Sequence, residues 1–171
     1  MVRGQVTGID GLSGADPLAV AVLHANAEVL RAVDSNPLLK GQGATVCAVR
    51  AFERWITIVH VGDCRVGRYR DGGFTWLTED HSLLAEMRMS DMPAEEIEEK
   101  ANFASNILMR AVGIQEPLCV DVSYHPTAPG DVYLLCSDGL SRHVEPSRIS
   151  ELLSVHSQRL QTCCLTKLPV R

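Results

Sequence analysis

The sequence has no long apolar run, no surplus of positive charge and no zinc-type spacing of its cysteines. Each shortage removes a class of function. With no stretch of transmembrane length and no apolar leader within Met1–Asp10, neither a membrane span nor a secretion signal is expected. Sixteen Lys and Arg stand against 21 Asp and Glu, a formal charge of −5. A mildly acidic surface argues against a nucleic-acid partner, which is gripped by clustered basic side chains. Of the cysteines Cys47, Cys64, Cys119, Cys136, Cys163 and Cys164, three (Cys47, Cys119 and Cys136) lie inside apolar runs, where a thiol behaves as a small hydrophobe. Without a secretion signal no disulfide framework is expected, and a reducing, cytoplasmic setting fits. Internal repeats and low-complexity segments are lacking too.

What remains is an ordinary globular composition, 46% hydrophobic and 22% charged, in 171 residues. That is enough for a single domain with one sizeable core. A short strand over Gln5–Ile9 runs into a loop at Asp10-Gly11. Leu23, Ala27 and Leu30 then recur at helical spacing within residues 18–33, and Asp34-Ser35-Asn36-Pro37 stops that helix. Ala44–Val49 and Trp55–Val61 are rich in Val, Ile and Thr and read as strands. Gly62-Asp63 interrupts, Val66–Tyr69 resumes, and Asp71-Gly72-Gly73 turns the chain back into Phe74–Leu77. Helices are predicted over Asp80–Arg88 and from Pro93, a good first helical residue, with Glu95 and Glu96 at the positive end of the dipole. Glu95, Glu96, Glu98 and Glu99 form a solvated face. Strands follow at Leu118–Tyr124 and Asp131–Cys136, then an amphipathic helix over Pro146–Leu153. The fold class is therefore α+β, antiparallel sheets covered by helices.

Carboxylates at strand ends carry the chemistry. Asp63 follows the run Val59-His60-Val61-Gly62, Asp138 follows Leu134-Leu135-Cys136-Ser137, and Asp10 stands in Gly8-Ile9-Asp10-Gly11. A carboxylate at the edge of a core sheet is rigidly held yet meets solvent, which suits hard cations such as Mn²⁺ or Mg²⁺. The adjacent glycine turns the backbone sharply and brings a carbonyl near the ion. His60 reads as a packed strand residue and His81 as part of a helix start.

Five stretches in order resemble the type 2C protein serine/threonine phosphatases. They are Gly43-Ala44-Thr45, His60-Val61-Gly62-Asp63-Cys64-Arg65, Leu77-Thr78-Glu79-Asp80-His81-Ser82, Arg110-Ala111-Val112-Gly113, and Gly130-Asp131 with Leu134-Leu135-Cys136-Ser137-Asp138-Gly139-Leu140. The family reads GTT, HVGDSR, LTxDHS, an RALG-like turn and GD…LLCSDGL, so Ala44 and Cys64 are the small departures. The match covers residues 18–153, within a single domain of 1–171 whose tail, 154–171, is atypical. The resemblance implies a β-sandwich flanked by helices, with a dinuclear Mn²⁺ or Mg²⁺ centre at one end. There a metal-bridging water hydrolyses phosphoserine or phosphothreonine of a protein substrate. It implies Asp138 as a core metal ligand, Asp63 as a ligand of a third, weaker site, and Asp10 with Gly11 as the family's DGMGG loop, whose Asp bridges both ions.

Two family features have no counterpart. One is the opening strand with its phosphate-gripping Arg and the Glu-Asp pair; the other is the closing GGxDN segment. The expectation is a chain shortened at both ends, with weak or absent phosphatase activity and marginal folding. The alternative is a catalytically inactive, phosphatase-like binding or regulatory module.

Overall fold

The computed structural model describes residues 2–7 and 16–157. Strand β1, Val2–Thr7, comes first. The expected strand over Gln5–Ile9 thus begins earlier, and Gly8 to Ile9 lie outside the described residues. Helix α1 spans Pro17–Ser35; Asp16 caps it by accepting from the Leu18 N–H at 2.9 Å, and Pro17 enters at a position where no N–H is needed. Asn36, extended and followed by Pro37, ends it as its sequence predicts. The buried line of α1 is Ala19, Val22, Leu23 and Asn26. Of the predicted apolar repeat only Leu23 is fully buried; Ala27 and Leu30 stand at the margin.

The strands follow closely: β2 Val46–Ala51, β3 Trp55–Val61, β4 Arg65–Arg70 and β5 Gly73–Trp76. Helix α2, Leu83–Met89, starts later than the predicted Asp80. The reason is local: Ser82 supplies the cap by accepting from the Ala85 N–H, while Asp80 and His81 are engaged with other segments. Helix α3, Ala94–Ala104, begins after Pro93 with Glu95 and Glu96 in its first turn, and Glu95, Glu98 and Glu99 are exposed. Strands β6, Cys119–Pro126, and β7, Val132–Cys136, precede a one-turn helix α4, Asp138–Ser141, which the sequence did not predict. Helix α5 covers Pro146–Ser157.

Among the described residues, one antiparallel sheet runs β1-β6-β3-β2 and a second runs β5-β4-β7. The alternation along β3 shows how they pack. Ile56 and Ile58 join Val66, Leu77 and the flanking Cys47, Val49, Ala51 and Tyr133 in a core between the sheets. Val59 and Val61 face the other way and join Ala19, Val22 and Leu23 of α1 with Leu118, Val120 and Val122. Full burial of each such Val or Ile contributes roughly 1.5–3 kcal/mol. The layers are therefore helix, sheet, sheet, with α5 against β5, where Ser150 Oγ donates to the Gly72 carbonyl at 2.8 Å. No helix among the described residues is long and apolar enough to cross a membrane.

Candidate active site

The turn after β3 is built around Gly62. Its φ is +105°, and a Cβ there would stand 2.3 Å from Thr45 Cγ2, so glycine is required on two counts. His81 holds the same residue from both sides. Its N–H donates to the Gly62 carbonyl at 2.8 Å, and its Nδ1 accepts the Gly62 N–H at 3.1 Å. Ala44 and Val112 exchange backbone hydrogen bonds at 3.0 and 2.9 Å, and the next N–H, that of Gly113, donates to Asn26 Oδ1 of α1 at 2.8 Å. Met109 N–H donates to the His81 carbonyl at 2.8 Å. The motifs around Thr45, Gly62, His81 and Val112, scattered along the chain, thus interlock at one end of the sandwich and fix Asp63.

Asp63, its side chain 11% exposed, meets Arg142 Nη2 at 2.9 Å. Asp138, the first residue of α4, meets Nε of the same guanidinium at 3.3 Å, one helical turn away. Arg142 also donates to the Ser105 carbonyl at 3.0 Å and to Asn106 Oδ1. Two of the predicted ligands are therefore brought to one place. Asp10 and Gly11, the other two, lie outside the described residues. Among the described residues, no group of three or more His, Cys, Asp or Glu side chains is arranged to hold a metal ion. The carboxylates that do converge face a cation already, and their hard oxygens suit a divalent one. Asp63 and Asp138 are two such oxygen donors; any ion between them would need further oxygens from beyond the described acidic groups.

Beside this corner a cavity of about 450 Å³ opens over the inner face of the first sheet, lined among others by Arg3, Gln5, His60, His81, Arg110 and Asp121. Asp121 faces it between the core residues Val120 and Val122. Arg110 Nη1 reaches Asp121 Oδ1 at 2.8 Å, and Gln5 Nε2 reaches it at 3.1 Å. Burial alone would raise the Asp121 carboxyl, but the His81 hydrogen bond, with Arg110 and Gln5, outweighs it and holds the group at about 2. His60, buried as expected, lies ring to ring with His81 at 4.6 Å. Asp121 and Arg142 were not singled out from the sequence. The available signal for Asp121 was a charge between two core valines of a strand.

The remaining motif carboxylates are structural. Arg65 grips Asp80 with two bonds of 2.7 and 2.6 Å, and Arg70 grips Asp131 with two of 2.6 Å. Burial pushes the Asp131 carboxyl up, but Arg70, the Ala128 N–H and the Tyr133 hydroxyl outweigh it and lower it below the ordinary value. Asp131 in turn helps burial push the Tyr133 phenol up to about 12. Cys47, Cys64, Cys119 and Cys136 are free thiols.

No family model matches the chain. Over 137 residues it is 32% identical to the serine/threonine phosphatase Stp of Listeria monocytogenes serovar 1/2a, an alignment covering 80% of this chain and 54% of that protein. Over 153 residues it is 32% identical to the serine/threonine protein phosphatase PstP of Mycobacterium tuberculosis, covering 85% and 29% respectively. Among solved structures, the Streptococcus agalactiae serine/threonine phosphatase superposes with a TM-score of 0.71 at 30% identity, over 80% of this chain and 56% of that one. The catalytic domain of PstP in complex with two manganese ions superposes with a TM-score of 0.65 at 27% identity, over 93% and 77%. The helix, sheet, sheet architecture is thus that of the metal-dependent serine/threonine phosphatases. The chain belongs to the type 2C protein phosphatase family. It spans about half the length of its streptococcal and listerial relatives, 46% and 54%.

Proposed function

We propose that the chain serves the hydrolysis of phosphoserine and phosphothreonine in protein substrates, in the cytoplasm, with Mn²⁺ or Mg²⁺ as cofactor. One observation carries this reading: Asp63 and Asp138, at the ends of strands from two different sheets, converge on a single cationic group. Asp138 and Asp63 would hold an ion there, and Asp10 with the Gly11 carbonyl would complete the set as the family resemblance implies. The chemistry such ions supply when bound is activation of a water and neutralisation of phosphoryl oxygens. The chain's own part is positional. The His81 clamp on Gly62 and the packing of Thr45 beneath it fix where Asp63 can stand. The sandwich core under β3 keeps that corner from yielding. Asp138 is half-exposed, so the site lies open to a phosphorylated segment of another protein.

A second reading, a phosphatase-like binding module without turnover, is favoured by Arg142, which already satisfies both carboxylates. Mn²⁺-dependent phosphate release from p-nitrophenyl phosphate and from a phosphothreonine peptide separates the two. The enzyme reading expects release that Asp138→Ala reduces by at least about 10–100-fold, the loss that follows even when only a ligand's outer-shell partner is removed. A folded chain that releases nothing would retire it in favour of the binding module.

A further inference from the structure

Arg142 receives more oxygen than an ordinary surface arginine. Its guanidinium contacts Asp63 Oδ2 at 2.9 Å, Asp138 Oδ2 at 3.3 Å, the Ser105 carbonyl at 3.0 Å and Asn106 Oδ1. These come from three separate segments: the turn after β3, the start of α4 and the loop after α3. Two carboxylates, a carbonyl and an amide oxygen are the donor set that a hard divalent cation would select. A guanidinium keeps its charge throughout the physiological range, so this positive group is permanent. It is also tethered one helical turn from Asp138, which gives it an effective concentration on the order of millimolar or above.

We propose that Arg142 is the resident cation of the Asp63–Asp138 pair and competes directly with divalent metal for it. A divalent ion engages these two carboxylates only when the Arg142 side chain withdraws. The inference rests on the reading of Asp63 and Asp138 as cation ligands, but not on turnover. It makes the identity of one side chain on α4 the determinant of metal affinity at this corner. The contacts to Ser105 and Asn106 oppose withdrawal, because a displaced guanidinium leaves both oxygens as well as the carboxylates.

The test is a Mn²⁺ titration of the full chain by calorimetry, comparing the wild type with Arg142→Gln, Arg142→Lys and Arg142→Gln combined with Asp63→Asn. The expected result is about tenfold tighter binding, or more, in Arg142→Gln, with Arg142→Lys between it and the wild type. Adding Asp63→Asn should abolish the gain. Equal affinity of folded Arg142→Gln and wild type would overturn the proposal. Should Arg142→Gln fail to fold, the wild type alone decides through the nuclear magnetic resonance signal of Arg142 Nε–H during a Mg²⁺ titration. Loss of its protection in step with shifts of the Asp63 and Asp138 carboxyl signals supports competition. Carboxyl shifts while Nε–H stays protected overturn it. Phosphate release enters neither arm, so an inactive chain that shows competition sinks the enzyme reading and leaves this one standing.

Discussion

Nε2 of His81 stands 3.3 Å from Oδ2 of Asp121. Because Nδ1 of the same ring accepts the Gly62 N–H, the proton of the neutral imidazole resides on Nε2 and points at the carboxylate. Asp121 therefore tethers the ring that clamps Gly62, and through it the backbone that presents Asp63. Its carboxyl lies lower in the folded chain than in the unfolded one, falling from 3.8 to about 2. The stabilisation is thus complete above the unfolded value and disappears as pH falls through the folded one. Asp121→Asn should flatten the dependence of the urea midpoint on pH between those two values. Parallel curves for the variant and the wild type in that window would disprove the linkage.

Gly62→Ala meets two obstacles, a φ of +105° and a Cβ position 2.3 Å from Thr45 Cγ2. We expect a loss of about 2–4 kcal/mol in urea denaturation, from backbone strain and overpacking together. A loss below about 0.5 kcal/mol, the range of an ordinary surface substitution, would show that the turn can relax.

Thr57 is fully buried on the strand face it shares with Val59 and Val61, and its Oγ1 has no hydrogen-bond partner among the described residues. Thr57→Val keeps the branched shape and removes the stranded hydroxyl. It should raise stability by about 1–2 kcal/mol, seen as a higher urea midpoint with unchanged slope. Destabilisation would mean that the hydroxyl is satisfied in solution.

Ile58, 1% exposed, lies at the centre of the core between the sheets. Ile58→Ala should cost about 2–5 kcal/mol, since the lost contacts leave a cavity that close-packed neighbours fill only in part. A cost under about 1 kcal/mol would indicate that the second sheet slides in to fill the gap. Differential scanning calorimetry provides the check.

Much of this fold is legible in the sequence because its strands carry their own punctuation. Trp55–Val61 is bounded by Gly62-Asp63, and the structure gives β3 those same limits. Asn36-Pro37 ends α1 for a reason contained in two residues. The limits failed where tertiary contacts decide. Asp80 and His81 look like the start of a helix, yet Arg65 and Gly62 hold them in extended connection, so α2 waits for Ser82. The site was half legible. Asp63 and Asp138 announce themselves by glycine neighbours at strand ends. Arg142 does not, because nothing in Ser141-Arg142-His143 distinguishes an arginine that turns back toward two carboxylates from one facing water. Asp121 is similar: only the pairing of β6 with β1 and β3 brings it to Gln5 and His60 and within reach of His81.

The two arginine forks of β4 have a consequence for how the second sheet can go wrong. Arg65 binds Asp80 at one end of the strand, and Arg70 binds Asp131 at the other, each with two short parallel hydrogen bonds. A slip of β4 by one residue against β7 would turn its inward side chains outward and draw Arg70 away from Asp131, the residue just before β7. The Arg65 fork reaches past β5 to Asp80 and ties the strand to the connection leading into α2. The two forks thus hold β4 to different neighbours, one at each end.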